Sequence, residues 1–328
     1  MNARDSVDIK NEKALSTLLT NYPAELKSYI NSLSNKTSYT KLAYTRYIIY
    51  FLDYARENKI INSEYDFTQI KPMHISDYMN KIKYNDNHME KSASYRSVQL
   101  SALNSFFIFL EKNDIIRKNP CSTIEFPRDR NEHKVTVITD QDLEIIMNNI
   151  KNGTGTSNSI ARHKKYINRD LALIILGLTT GLRVSAIVGI DVDDINLGRN
   201  TIRVTEKRDE TFEVFIGKNT KKYLVKWLAD RKKMCPKGTK AVFIREGGNR
   251  ITTRTVQNIM KRSTEGIDKR ITPHKMRATC ATRLYEATGD ALLVMSQLNH
   301  KNIETTKRYI KVSEKRKRDA ASILDSLC

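Results

Sequence analysis

Residues 272–310, TPHKMRATCATRLYEATGDALLVMSQLNHKNIETTKRYI, hold His274, Arg277, His300 and Tyr309 at intervals suited to joint work. Thr272 followed by Pro273 reads as a helix start: threonine caps, and proline takes the first helical position, where its missing N–H is no loss. His274 then falls in the first turn, with Arg277 three residues on along the same face. Alone, a His-x-x-Arg spacing fits an ordinary surface as well as it fits a site. Two further segments supply company: LNHKNIETTKRYI carries His300 and Tyr309, and TTGLRVSAIVGI carries Arg183. An arginine bounded by an apolar run is poorly suited to plain surface. A phosphodiester in transfer gathers negative charge on its nonbridging oxygens, and two guanidiniums with a histidine donor form a clamp matched to that charge. The tyrosine is then the nucleophile.

The composition agrees with that chemistry. The 328 residues contain 57 Lys and Arg against 37 Asp and Glu, a formal net charge of +20. Such an excess draws a protein onto a polyanion, nucleic acid first among them. A solvated coat of lysines would give the same total, but the arginines lying inside the segments above favour the polyanion. The four cysteines, Cys121, Cys235, Cys280 and Cys328, are far apart without a C-x-x-C pair. They fit neither a zinc module nor a small disulfide framework and suit a reducing cytoplasm. The first residues, MNARDSVDIKNEKALS, lack the apolar core of a signal peptide, and no stretch reaches the ~18 uninterrupted apolar residues a membrane span needs. A cytoplasmic, nucleoid-associated protein with no membrane contact is the expectation.

The elements that must position these residues follow from periodicity. Residues 1–20 show little apolar pattern and read as a flexible lead-in, with a short helix around KALSTLL as the alternative. Helical spacing runs through TSYTKLAYTRYIIYFLDYARENK, with Ser38 or Thr37 as N-cap, then through ISDYMNKIKYN and SASYRSVQLSALNSFFIFLEKN. Residues 21–128 are thus a helical bundle. NPCSTIEFPRDRNEHKVT ends the pattern with two prolines and a run of charge, which marks a linker at 129–134. A second domain, 135–313, opens on TDQDLEIIMNNI, where Thr139 and Asp142 have capping-box spacing. KNGTGTSNS reads as a surface loop. YINRDLALIILGLTTGLRVSAIVGI reads as two helices broken at Gly181, a C′ glycine. NTIRVTEKRDETFEVFIG alternates on both sides of a charged turn, the mark of a β-hairpin. The fold class is mainly α with a small β-hairpin or sheet, in two domains. Residues 314–328 combine a basic run with Ile323, Leu324 and Leu327 at helical spacing and read as a tail helix.

TTGLRVSAI, HKMRATCATRL and LNHKNIETTKRYI together resemble the three signature boxes of the tyrosine recombinase (phage integrase) family, especially its Xer-like and mobile-element integrase members. The resemblance covers roughly residues 25 to 315 and includes the order Arg, Lys, His-x-x-Arg, His, Tyr. It implies a core-binding DNA-binding domain followed by a catalytic domain, and a site-specific recombinase that cuts and rejoins duplex DNA through a 3′-phosphotyrosyl intermediate, in integration, excision or dimer resolution. Carried over, Arg183 and Arg277 hold the scissile phosphate, His300 donates to a nonbridging oxygen, His274 is the general base, Tyr309 attacks phosphorus, and Lys207 protonates the leaving 5′-oxygen. It also implies double-stranded DNA with inverted-repeat sites, a synaptic tetramer, and accessory DNA-bending or directionality proteins. No cofactor or metal is implied, because the ester bond energy is kept in the tyrosyl link. DVDD at 191–194 is the one metal-like run and reads as a polar turn.

Departures from the family pattern define open questions. The family usually carries Glu three residues after its first arginine, where this chain has Ala186, so either another acid such as Asp191 substitutes or the arginine is held differently. EKRDE stands where relatives have glycines, and a one-residue slip would put Arg208 in place of Lys207. Asn299 replaces a usual Gly and Ala278 a frequent second His. The alternatives are a catalytically inactive DNA-binding or architectural relative and a type IB topoisomerase-like nicking-closing enzyme.

Overall fold

The computed structural model describes residues 3–62, 64–84, 89–127, 136–206, 210–234, 239–300, 302–307, 309, 321–322 and 325. The linker expected at 129–134, Lys207 and most of the 314–328 tail lie outside the described residues. The chain divides into two compact units, Met1–His133 and Lys134–Cys328, each with its own hydrophobic core.

The first unit holds α1 (Ala3–Leu18), α2 (Ala24–Ser32), α3 (Ser38–Glu57), α4 (Pro72–Lys81) and α5 (Ala93–Lys112). Thr37 is the N-cap of α3 and accepts from the Thr40 amide at 3.2 Å, which settles the choice left open with Ser38. Its core is aromatic: Tyr29 meets Phe106 edge-on at 5.3 Å and Phe51 meets Phe107 at 5.9 Å, geometry that suits the ring quadrupoles. The flexible lead-in expected for residues 1–20 is corrected here. Residues 3–18 form a helix packed on α3, with Leu15 buried in the core, Ala14 and Leu18 beside it, and Asn11 donating to the Ser38 hydroxyl at 3.0 Å. Its apolar stripe is narrow within a polar segment, so the packing partner rather than the pattern stabilises it.

In the second unit come α6 (Asp140–Asn152), α7 (Ser157–Lys164), α8 (Ile167–Thr180) and α9 (Val184–Gly189), then β1 (Ile195–Asn196), β2 (Thr201–Thr205) and β3 (Thr211–Phe215). After them follow α10 (Lys218–Met234), α11 (Thr253–Ser263), α12 (Pro273–Thr288), α13 (Ala291–Gln297) and the short α14 (Glu304–Lys307). The reciprocal Thr139–Asp142 capping box forms as spaced, and α7 occupies part of the expected loop. The strands make an antiparallel sheet in the order β1-β2-β3, with Ile202 opposite Val214 and Val204 opposite Phe212. That register sends the alternating apolar residues to one face, onto the core.

Helix α8 is the axis of this unit. It is apolar nearly all round, as a helix enclosed by neighbours must be, and packs against α6, α9, α10 and α12. Its charged pair is enclosed too: buried Asp170 takes Arg169 at 2.7 Å and Arg262 of α11 at 2.9 Å, while Arg169 also donates to the Ile244 carbonyl at 2.9 Å. A buried carboxylate so surrounded is matched in charge, although burial still raises the Asp170 pKa. Trp227 of α10 is fully buried, with its indole N–H on the Val242 carbonyl at 2.9 Å. Among the described residues no helix is long and apolar enough to cross a membrane.

Candidate active site

The expected site residues arrive from three places on this frame. Helix α8 ends where Gly181 turns left-handed at φ 64°, and two residues on Arg183 becomes the N-cap of α9. Its side chain is 40% exposed and pairs with Glu206, the residue after β2, whose side chain is only 10% exposed. Arg277, in the second turn of α12, is buried. One of its nitrogens donates to the Gly181 carbonyl at 2.7 Å and another to the Leu298 carbonyl at 2.6 Å. A single planar guanidinium thereby ties the segment leading to Arg183 to the segment leading to His300, which a point-charge ammonium could not do. Gln297 adds a bond between the same segments, donating to the Thr180 carbonyl at 3.2 Å.

His300 follows α13 through Asn299, which sits at φ 48°, in the left-handed region. Asparagine is the non-glycine residue best suited to that conformation, which explains its tolerance here. The His300 Nδ1 meets the Thr306 hydroxyl at 2.7 Å, and Thr306 is fully buried. The Tyr309 amide donates to the Thr306 carbonyl at 2.9 Å, so one residue anchors both candidates. The His300 and Tyr309 rings lie 6.4 Å apart at an interplanar angle of 21°. Tyr309 also packs on a small apolar cluster of Ala281, Tyr285, Val294 and Leu298 from α12 and the α13 region.

The electrostatics bind these groups together. Burial, with the like charge of Arg183 next, lowers the pKa of Arg277 to about 10, while Glu206 and Tyr309 oppose that shift. Arg277 therefore stays cationic at neutral pH in a poorly solvated place, a condition that a bound anion relieves. Arg183, Arg277, His300 and Tyr309 are thus one cluster. His274 is placed differently: it is exposed on the first turn of α12 and lines a cleft of about 860 Å³ that also contains Val184, the neighbour of Arg183. Arg254, Lys261 and Arg270 stand exposed on the same cleft. Lys207 lies outside the described residues; on either side of it the Glu206 amide donates to the Glu210 carbonyl at 2.9 Å.

Two residues of the cluster were not found from sequence: Thr306, which gives no local signal, and Glu206, signalled only by an acid next to Lys207 in a chain that lacks one at Ala186. Asp191, the acid first considered as a substitute, is engaged elsewhere by Arg250. Asp193 pairs with Lys240 at 3.3 Å and Asp194 with Arg203 at 2.9 Å, so DVDD is a polar turn held by basic partners.

Gly181 is the tightest point of the arrangement. A Cβ there would lie 2.6 Å from Leu298 Cδ2 and 3.1 Å from Cys280 Sγ, on a backbone already in the left-handed region. Gly181→Ala is expected to destabilise the protein by about 2–4 kcal/mol. Denaturant unfolding checks this, and a midpoint equal to that of the parent chain would contradict the packing described.

A family model described as the phage integrase family matches residues 136–316, which contain all of these positions. The chain belongs to the phage integrase family. It is a tyrosine site-specific recombinase, an enzyme that cuts and rejoins DNA. The recombinase is 28% identical over 296 residues to tyrosine recombinase XerC of Leptospira interrogans, spanning 88% of this chain and 89% of that one. It is 34% identical over 174 residues to tyrosine recombinase XerS of Streptococcus gordonii, 52% of this chain and 49% of that one. In fold it is similar to the XerH site-specific recombinase bound to palindromic difH substrate in a post-cleavage complex: TM-score 0.73, 18% identity, 97% of this chain and 90% of that one. The Tn1549 transposon integrase in complex with a circular intermediate DNA gives a TM-score of 0.69 at 18% identity, over 91% of this chain and 98% of the other.

Proposed function

We propose that this recombinase breaks a DNA strand by attack of the Tyr309 hydroxyl oxygen on phosphorus, with Arg183 and Arg277 gripping the nonbridging oxygens. The new bond joins phosphorus to the tyrosyl oxygen, and the bond to the 5′-oxygen breaks. The phenolic proton passes to His274 as general base, and Lys207 gives a proton to the departing 5′-oxygen. His300 donates to a nonbridging oxygen; because Nδ1 is engaged by Thr306, that donor is Nε2. Attack of a partner strand's 5′-hydroxyl on the tyrosyl ester reverses the step, so neither metal nor nucleotide is consumed. The observation that supports this reading is the double hydrogen bond of Arg277, which ties the segment leading to Arg183 to the segment leading to His300.

Around that chemistry, residues 21–128 act as the core-binding half and 135–313 as the catalytic half, both contacting the duplex through phosphates. The basic cleft beside His274, with Arg254, Lys261 and Arg270, is suited to the backbone flanking the cut. The target is duplex DNA with inverted-repeat sites, held in a synaptic tetramer in which the 314–328 tail docks on a neighbouring protomer, with accessory DNA-bending or directionality proteins. The XerH and Tn1549 integrase structures, both complexes with DNA, support binding to a DNA site; the tetramer, the accessory proteins and action on the nucleoid in the cytoplasm belong to the proposal. Covalent complexes trapped on genomic DNA and sequenced test the reading. Fragments ending at one short motif with inverted arms are expected; ends scattered without a shared motif would contradict it.

A further inference from the structure

Arg183 has to present two or three donors to a phosphate while standing beside a second cation, so something must fix its direction. Helix α9 supplies no acid for this: it reads Val184, Ser185, Ala186, Ile187, Val188 and Gly189, and Ala186 is buried in the core. The carboxylate in contact with Arg183 comes instead from Glu206, at the end of β2, the strand against which α9 packs. Glu206 is the more enclosed partner, with Oε1 buried and unbonded among the described residues, while Arg183 keeps a solvent-facing side. The acid therefore backs the guanidinium from its enclosed side and leaves the solvent-facing side free. Glu206 also acts on Arg277, offsetting the repulsion between the two arginines.

We propose that Glu206 is a positioning residue: it orients Arg183 and balances the Arg183–Arg277 pair, doing from the β-hairpin what the helix that carries Arg183 has no acid to do. This rests on the phosphate-gripping role given to the two arginines above. The residue preceding Lys207 thus links the hairpin turn to the arginine clamp, so the general acid and the clamp share one short segment.

The test measures three things in each variant: covalent-adduct formation on a nicked duplex carrying the enzyme's site, affinity for the same duplex, and thermal midpoint. Misplacing a catalytic group by about 1 Å can cost about 100-fold in rate, so Glu206→Gln is expected to slow adduct formation by roughly 10-fold to 100-fold. Duplex affinity and thermal midpoint should stay close to those of the parent chain. Glu206→Asp, which keeps the charge on a shorter arm, should recover part of the rate. Arg183→Lys/Glu206→Gln should be no slower than Arg183→Lys alone, whereas a further loss in the double variant would mean that Glu206 acts through the neighbouring Lys207 and not through Arg183. An adduct rate for Glu206→Gln equal to that of the parent chain would overturn the proposal, as would a rate loss tracked by an equal loss of thermal stability and affinity. Tyr309→Phe is run alongside: if it abolishes the adduct while Glu206→Gln changes nothing, only the role of Glu206 fails, whereas an adduct persisting in Tyr309→Phe removes the underlying reading.

Discussion

Tyr309→Phe is expected to bind its DNA site with unchanged affinity and to form no covalent complex, a loss of about 10⁴-fold or more for deletion of a nucleophile. The substitution removes one oxygen and leaves the ring, so the stack on His300 at 6.4 Å and the packing on Tyr285, Val294 and Leu298 persist. Since the Tyr309 backbone, not its hydroxyl, bonds Thr306, the local turn persists as well. Gel-shift titration and denaturing electrophoresis of the same reactions separate binding from chemistry. Weak binding by the variant would mean that the tyrosine works as a DNA contact instead, and a retained adduct would move the nucleophile elsewhere.

Arg277→Lys is expected to fail twice over. In the folded chain one guanidinium serves the Gly181 and Leu298 carbonyls, at 2.7 and 2.6 Å, from a buried position. An ammonium keeps the charge but not the planar fork, so at least one buried carbonyl loses its donor, at about 1–3 kcal/mol for each unmet group. Loss of a preorganised donor facing developing phosphate charge adds about 10²–10³-fold in rate. The variant should therefore melt at lower denaturant concentration and form adduct at a rate lower by that factor. Arg183→Lys provides the contrast: its side chain is 40% exposed and its partner Glu206 can still pair with an ammonium, so it should lose rate with little loss of stability. If both variants lose stability equally, Arg277 is not the junction of the site.

Much of the scaffold was legible because it rests on local rules. A capping threonine with a matching acid announced α6, Gly181 announced the end of α8, and alternation announced the β2–β3 hairpin, although not its register. The clustering of Arg183, Arg277, His300 and Tyr309 was legible only from their joint order, since each alone suits an ordinary surface or core. Other features were hidden for physical reasons. Helix α1 buries a narrow stripe in a polar segment and depends on α3 for its stability. The buried Asp170 cluster joins residues 92 positions apart, and the Arg183–Glu206 pair spans 23. No local period encodes pairs of that kind, so Ala186 read as a missing acid until the strand beside it supplied one.

The central claim is that the tyrosine near the C-terminus becomes the temporary holder of the DNA strand. Protease digestion of the trapped covalent complex, followed by mass spectrometry of the nucleotide-bearing peptide, tests it most directly. A nucleotide attached through its 3′-phosphate to Tyr309 and a free 5′-hydroxyl on the released strand are expected. Attachment at another residue, or through a 5′-phosphate, would contradict it.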